Sequence, residues 1–91
     1  MIRRQPNGKK VKVTFAIPTA STNGRVSVVG DFNSWTPGQH TLVKRTNGTH
    51  SVSVTLPKGS SFRFRYLGEG GHWFDDPDAD AHTHEGSVIH V

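Results

Sequence analysis

Apolar residues recur at every second position through most of this chain, and no segment sustains the 3.6-residue period of a helix. Val11, Val13, Phe15 and Ile17 alternate with Lys12, Thr14 and Ala16. Val52, Val54 and Leu56 share one parity within residues 51–56, and Phe62, Phe64 and Tyr66 share one opposite to Arg63 and Arg65. Successive side chains of a strand point to opposite faces, so this pattern describes half-buried strands and excludes long amphipathic helices. Turn chemistry separates the runs: Pro18, Asn23-Gly24, Asn47-Gly48, Pro57-Lys58-Gly59, the Gly68–Gly71 stretch and Pro77. Asn47-Gly48 is the pair that favours a type I′ hairpin, because both residues tolerate positive φ. Strands are expected over 11–17, 26–29, 41–45, 51–56, 62–66, 73–74 and 87–91. About seven short strands at this spacing predict an all-β, antiparallel β-sandwich. The expected core is Val13, Phe15, Val26, Val28, Val52, Val54, Leu56, Phe62, Phe64 and either Val88 or Ile89. Gly30, closing the second strand, is expected at a bulge or a close backbone approach. Residues 1–8 are expected to be loose and residues 9–91 to form one domain.

Size and composition narrow the chemistry. A chain of 91 residues buries roughly 60–65% of its unfolded surface, enough for a two-layer core but not for a deep cleft. It has no cysteine, hence neither disulfide nor thiolate metal site. No apolar run follows Met1-Ile2-Arg3-Arg4 as in a secretion leader, and none approaches the ~20 residues of a membrane span. A soluble, cytoplasmic protein, or a module cut from a longer one, is the expectation, with no membrane partner. Residues 1–65 hold all eleven Lys and Arg with Asp31 as their one acid, whereas residues 66–91 hold six acids and no Lys or Arg. Arg3, Arg4, Lys9, Lys10 and Lys12 have the composition of a polyanion-binding stripe. A solvated N-terminus, or packing of the acidic segment on the basic body, accounts for the asymmetry better, and nucleic acid is not the expected partner.

No motif for catalysis or metal binding survives inspection. Asp76-x-Asp78-x-Asp80 opens like a calcium loop, but positions six and twelve are Ala81 and Ser87 where glycine and glutamate are required. His82-x-His84 lacks an evident third and fourth zinc ligand, Asp80 and His90 being distant candidates. The carboxylates cluster in one acidic stretch rather than as a pair at a fixed gap, and no nucleophile–base signature is present. No cofactor, no metal and no enzymatic activity are expected. Asn47-Gly48-Thr49 is a formal glycosylation sequon that the hairpin turn explains better.

The two tryptophans stand out instead. Trp35 lies in the polar stretch after the second strand, and Trp73 follows the glycine-rich turn. An indole face attracts the slightly positive C–H groups of a sugar ring and buries a large apolar area. Arg65 offers a planar set of donors for rim hydroxyls. Arg63 shares its face, and His72 or His84 would add a bond. The competing structural uses are an aromatic plug for Trp35, a core position for Trp73 with Phe74 outside, and solvent for Arg65. Asn33 is expected to tie the turn to its own backbone.

Val28-Val29-Gly30-Asp31-Phe32-Asn33-Ser34-Trp35 resembles the G-x-F-N-x-W signature of carbohydrate-binding module family 48, the isoamylase N-terminal or early-set domain. Phe64-Arg65-Tyr66, Gly71-His72-Trp73, Asp76-Pro77 and the closing strand Ser87–Val91 match its further motifs in order, so the resemblance covers roughly residues 10–91. It implies an immunoglobulin-like early-set sandwich that binds glycogen or starch without catalysis, of the kind that accompanies the catalytic domain of glycoside hydrolase family 13 enzymes. It also implies a carbohydrate site of Trp35, Arg65 and Trp73, with an α-1,4-glucan as partner. His82, His84 and Gly86 stand where glycogen-binding members carry leucine, threonine and asparagine. That departure keeps open a second expectation, an interaction or spacer domain on the same fold with a decayed sugar site.

Overall fold

A computed structural model describes residues 2–21 and 24–91. Among these the chain forms nine strands: β1 (Ile2–Asn7), β2 (Lys10–Pro18), β3 (Val26–Gly30), β4 (Val43–Lys44), β5 (Thr49–Pro57), β6 (Ser61–Gly68), β7 (His72–Phe74), β8 (Ala81–Thr83) and β9 (Gly86–His90). They build two antiparallel sheets, β1-β2-β5-β4 and β3-β6-β9-β8, with β7 also paired to β6. The two sheets form the expected sandwich of immunoglobulin-like, early-set type. Asn23 of the anticipated Asn23-Gly24 turn lies outside the described residues.

The alternation places the core. Val11, Val13, Phe15 and Ile17 from β2, Val26 and Val28 from β3, Leu56, Phe64, Tyr66 and Ile89 are buried between the sheets. Val52, Val54 and Phe62 are only partly buried and pack against this cluster. Ile89, not Val88, supplies the buried residue of β9. Aromatic rings fill the centre, with Phe15 at 5.0 Å from Phe64 and 5.7 Å from Phe32, and Tyr66 at 5.3 Å from Phe74. Offset and tilted pairs at these separations are the favoured geometry.

Two strands lie where none is expected. Within the segment expected to be loose, Ile2–Asn7 pairs along six residues of β2. Ile2 packs on the core, and Arg4 reaches across the sandwich edge to Asp80 Oδ2 at 2.5 Å and to the His90 carbonyl at 3.1 Å. Such an edge strand has almost no apolar signature, because only one of its residues meets the core. β8 likewise hides in the acidic stretch. The expected strand over 41–45 contracts to Val43–Lys44, because Leu42 turns inward and donates its N–H to Val26. With Val28 N–H donating to His40, residues 40–42 close the free edge of β3. Covered edges resist unwanted pairing.

Gly30 is a site of close approach. An added Cβ would lie 2.4 Å from the Arg63 carbonyl oxygen and 2.9 Å from Phe64 Cβ. Gly30→Ala is therefore expected to cost about 1–3 kcal/mol, read as a lower urea midpoint at unchanged slope.

Asp76 is fully buried. Tyr66 Oη donates to its Oδ2 at 2.6 Å and Asp78 N–H to its Oδ1 at 2.8 Å. Burial first, then the Asp76 carboxylate, push the Tyr66 hydroxyl far above the ordinary phenol range, so it stays a donor. Asp76-Pro77 thus anchors the acidic stretch to β6. Among the described residues no group of three or more His, Asp or Glu is placed to hold a metal ion, and no helix is long and apolar enough to cross a membrane.

Candidate functional site

The outer face of the β3-β6 sheet gathers several of the residues singled out above. Phe64 and Tyr66 point into the core, so Arg63, Arg65 and Leu67 point outward from β6. The register sets Trp73 directly across from Leu67. Cross-strand partners share a face, and diagonal neighbours lie about 7–8 Å apart, which makes Trp73 a neighbour of Arg65. Trp73 is 46% exposed, and Phe74 beside it turns toward Tyr66. The exchange of roles between these two aromatics therefore does not occur.

Trp35 is brought in by a turn. Asp31–Asn33 forms a 3-10 turn after β3, and Ser34 and Trp35 both take positive φ, 54° and 56°. A left-handed backbone is uncommon for a bulky residue and needs support. Trp35 N–H donates to the Gly30 carbonyl at 2.9 Å. The buried Asn33 accepts from Gly30 N–H and donates to Val28 O, each at 3.0 Å, tying the turn to its own backbone. The indole Nε1 of Trp35, half-buried, donates to Asp31 Oδ1 at 3.0 Å. Asp31 Oδ2 in turn accepts from Arg63 N–H at 3.0 Å. Asp31 therefore ties the Trp35 indole to the Arg63 position of β6, while Trp73 pairs with Leu67. Four residues of strand, ~13 Å at ~3.3 Å each, separate those two β6 positions.

The arginines between them are held by carboxylates and carbonyls. Arg65 Nη2 donates to the His84 carbonyl at 3.0 Å, while its buried Nε makes no hydrogen bond and lies 3.4 Å from Asp75 Oδ1. Ser87 Oγ fixes Asp75 by donating to Oδ1 at 3.0 Å. Arg63 bonds Glu85 through Nη1 and approaches Asp31 through Nε at 3.4 Å. His84 occupies the two-residue turn between β8 and β9, its side chain 93% exposed and 3.8 Å from Glu85 Oε1. It reaches Arg65 through its carbonyl, not its ring. His82 bonds the Asp76 carbonyl through Nε2 at 2.7 Å and has a structural role.

The fold thus places Arg63, Arg65 and Trp73 on one face and links Trp35 to that row through Asp31. Sequence reasoning missed Leu67, although its parity with Arg65 marks it. It also missed Asp31, Asp75 and Glu85 as partners of the arginines, since pairings 10 to 32 residues apart leave no local signal. A cavity of about 520 Å³ opens elsewhere, on the inner side of β6 and β7, between Ile17, Pro18, Tyr66, His72 and Phe74. None of Trp35, Arg63, Arg65, Trp73 or His84 lines it.

The Asp31 link is pH-sensitive. Partial burial would raise its carboxyl, but the bonds from Arg63 N–H, the Trp35 indole and the Arg63 guanidinium together hold it below the ordinary 3.8. A depressed folded value means that this contribution is fully present above 3.8 and is lost as pH falls through the lower, folded value. The indole proton resonance of Trp35 is expected to shift as the pH is lowered below about 4. An Asp31→Asn chain should lack that transition.

Comparison with known families and proteins matches residues 4–81 to carbohydrate-binding module 48 (isoamylase N-terminal domain). Similar proteins include the 1,4-alpha-glucan branching enzyme GlgB of Synechococcus elongatus, 31% identical over 67 residues that make up 72% of this chain and 8% of the enzyme. The branching enzyme GlgB of a Prochlorococcus marinus strain is 27% identical over 93% of this chain and 12% of the enzyme. An amylopullulanase of Thermoanaerobacter thermohydrosulfuricus is 28% identical over 79% of this chain and 5% of the enzyme. The chain therefore spans only 5% to 12% of the length of these relatives.

Proposed function

Because the chain belongs to the carbohydrate-binding module 48 (isoamylase N-terminal domain) family, we propose that it is a non-catalytic module binding α-1,4-glucan along the outer face of β6, with Trp35 and Trp73 as stacking platforms and Arg65 as the donor between them. Arg63 and His84 frame the row. The observation that carries this reading is the exposed Trp73 set diagonally to Arg65 on a rigid sheet face. The names of the relatives, branching enzymes and an amylopullulanase, support an α-glucan as the ligand and a glycoside hydrolase catalytic domain as a partner. Platforms tied to β6 positions four residues apart, ~13 Å along the strand, suit an extended oligosaccharide rather than a single ring. A shallow, wet site of this kind binds weakly, about 10 µM to millimolar, and gains apparent affinity on a polymer with repeated sites.

Titration of the 15N-labelled chain with maltoheptaose tests the proposal. Shifts centred on Trp35, Arg65 and Trp73 are expected. Unchanged resonances at these three positions in millimolar sugar overturn it. One observation favours a second reading, a spacer domain with a decayed sugar site: both arginines already have carboxylate neighbours, and the His84 ring points into solvent. Under that reading maltoheptaose leaves the spectrum untouched.

A further inference from the structure

The net charge of +4 is not spread evenly over the fold. Asp80 holds Arg4, Asp75 lies against Arg65, Glu85 and Asp31 flank Arg63, and Asp76 is buried. The acids are thus drawn to the β3-β6 sheet and the sandwich edge. The four strands of the other sheet, β1, β2, β5 and β4, contain no acidic residue.

The outer face of that acid-free sheet is a cationic, hydroxyl-rich surface. Its register sets Arg3 across from Thr14 and Thr14 across from Ser53, with the two hydroxyls 2.9 Å apart. One step along, Gln5, Lys12 and Thr55 line up. Arg45 Nε donates to Ser51 Oγ at 3.0 Å, bringing a second guanidinium onto the face. A groove of about 260 Å³ runs between Arg3, Thr14, Ala16, Asn47, Thr49 and Ser51.

From this geometry we propose a second binding site on the outer face of the β1-β2-β5-β4 sheet, one that takes a phosphate monoester carried on a glucan. The planar guanidinium of Arg3 presents paired donors that fit phosphate oxygens, and Lys12 adds attraction as a point charge. The hydroxyls of Thr14, Thr49 and Ser51 serve as donors or acceptors for the remaining oxygens and the sugar rim. Among the described residues no aromatic side chain lies on this face to stack a base, which argues against single-stranded nucleic acid. The identity of the sugar rests on the glucan reading above, but the site is on the opposite sheet and is tested separately.

The 15N-labelled chain is titrated with glucose 6-phosphate, glucose and inorganic phosphate at matched ionic strength. Glucose 6-phosphate is expected to shift Arg3, Thr14 and Ser51 while leaving both indoles in place, with a weaker response to inorganic phosphate and none to glucose. Arg3→Gln combined with Lys12→Gln should weaken glucose 6-phosphate binding about tenfold. It should leave the maltoheptaose response at Trp73 intact, which also shows that the variant folds. Absence of shifts on this face, an equal response to glucose or to inorganic phosphate, or tighter binding of a single-stranded oligonucleotide overturns the proposal. Loss of the maltoheptaose response alone counts against the glucan row on β6 and not against this site.

Discussion

Trp73→Ala is expected to weaken maltoheptaose binding by about 2 kcal/mol, roughly thirtyfold in Kd, with the fold intact. The indole is 46% exposed and lies across from Leu67 in the β6–β7 pair. Its removal takes away the proposed platform while Phe74 continues to pack on Tyr66. Isothermal calorimetry with maltoheptaose reads the affinity, and the urea midpoint reads stability, expected to change by less than about 1 kcal/mol. Wild-type affinity in the variant would show that this indole is not a platform. The matching change at Trp35 differs in kind, because Trp35 also holds a strained turn and a bond to Asp31. Trp35→Ala is expected to lower both affinity and stability.

The largest stability effect is expected at Phe64. It is fully buried, 5.0 Å from the Phe15 ring and 5.8 Å from Tyr66, on the strand that joins β3 to β9. Phe64→Ala leaves a cavity that neighbouring rings, fixed by their own strands, cannot fill, and should cost about 3–5 kcal/mol. Domains of this size are stable by only about 5–14 kcal/mol. Much of the margin disappears, and the thermal midpoint should fall by well over ten degrees, at about 4–8 °C per kcal/mol. Val43→Ala serves as the comparison: Val43 is half exposed on the outer face, and a change within about 0.5 kcal/mol is expected there. A small loss at Phe64 would mean that the ring cluster repacks and is not the centre of the core.

The β-sandwich was legible because alternation reports directly on burial. Val13, Phe15 and Phe64 each carry their position in their parity, and Gly30 and Asn33 mark a turn by local chemistry alone. β1 was not legible. An edge strand that meets the core through Ile2 has no reason to alternate, and its pairing depends on the free edge that β2 offers. The exposure of Trp73 rather than Phe74 follows from the β6–β7 register, which no local pattern fixes.

The amino-acid sequence determined, unaided, which residues are apolar and on which parity, and therefore the layers and most of the core. Tertiary structure decided which charges meet. Asp31 joins Trp35 to Arg63, Asp75 and Glu85 reach the arginines, and Asp80 clasps Arg4 across 76 residues. The physical reason is one of range. Burial is imposed residue by residue through the alternation of side chains, whereas a Coulombic or hydrogen-bonded pair exists only once distant strands have been brought within a few ångströms.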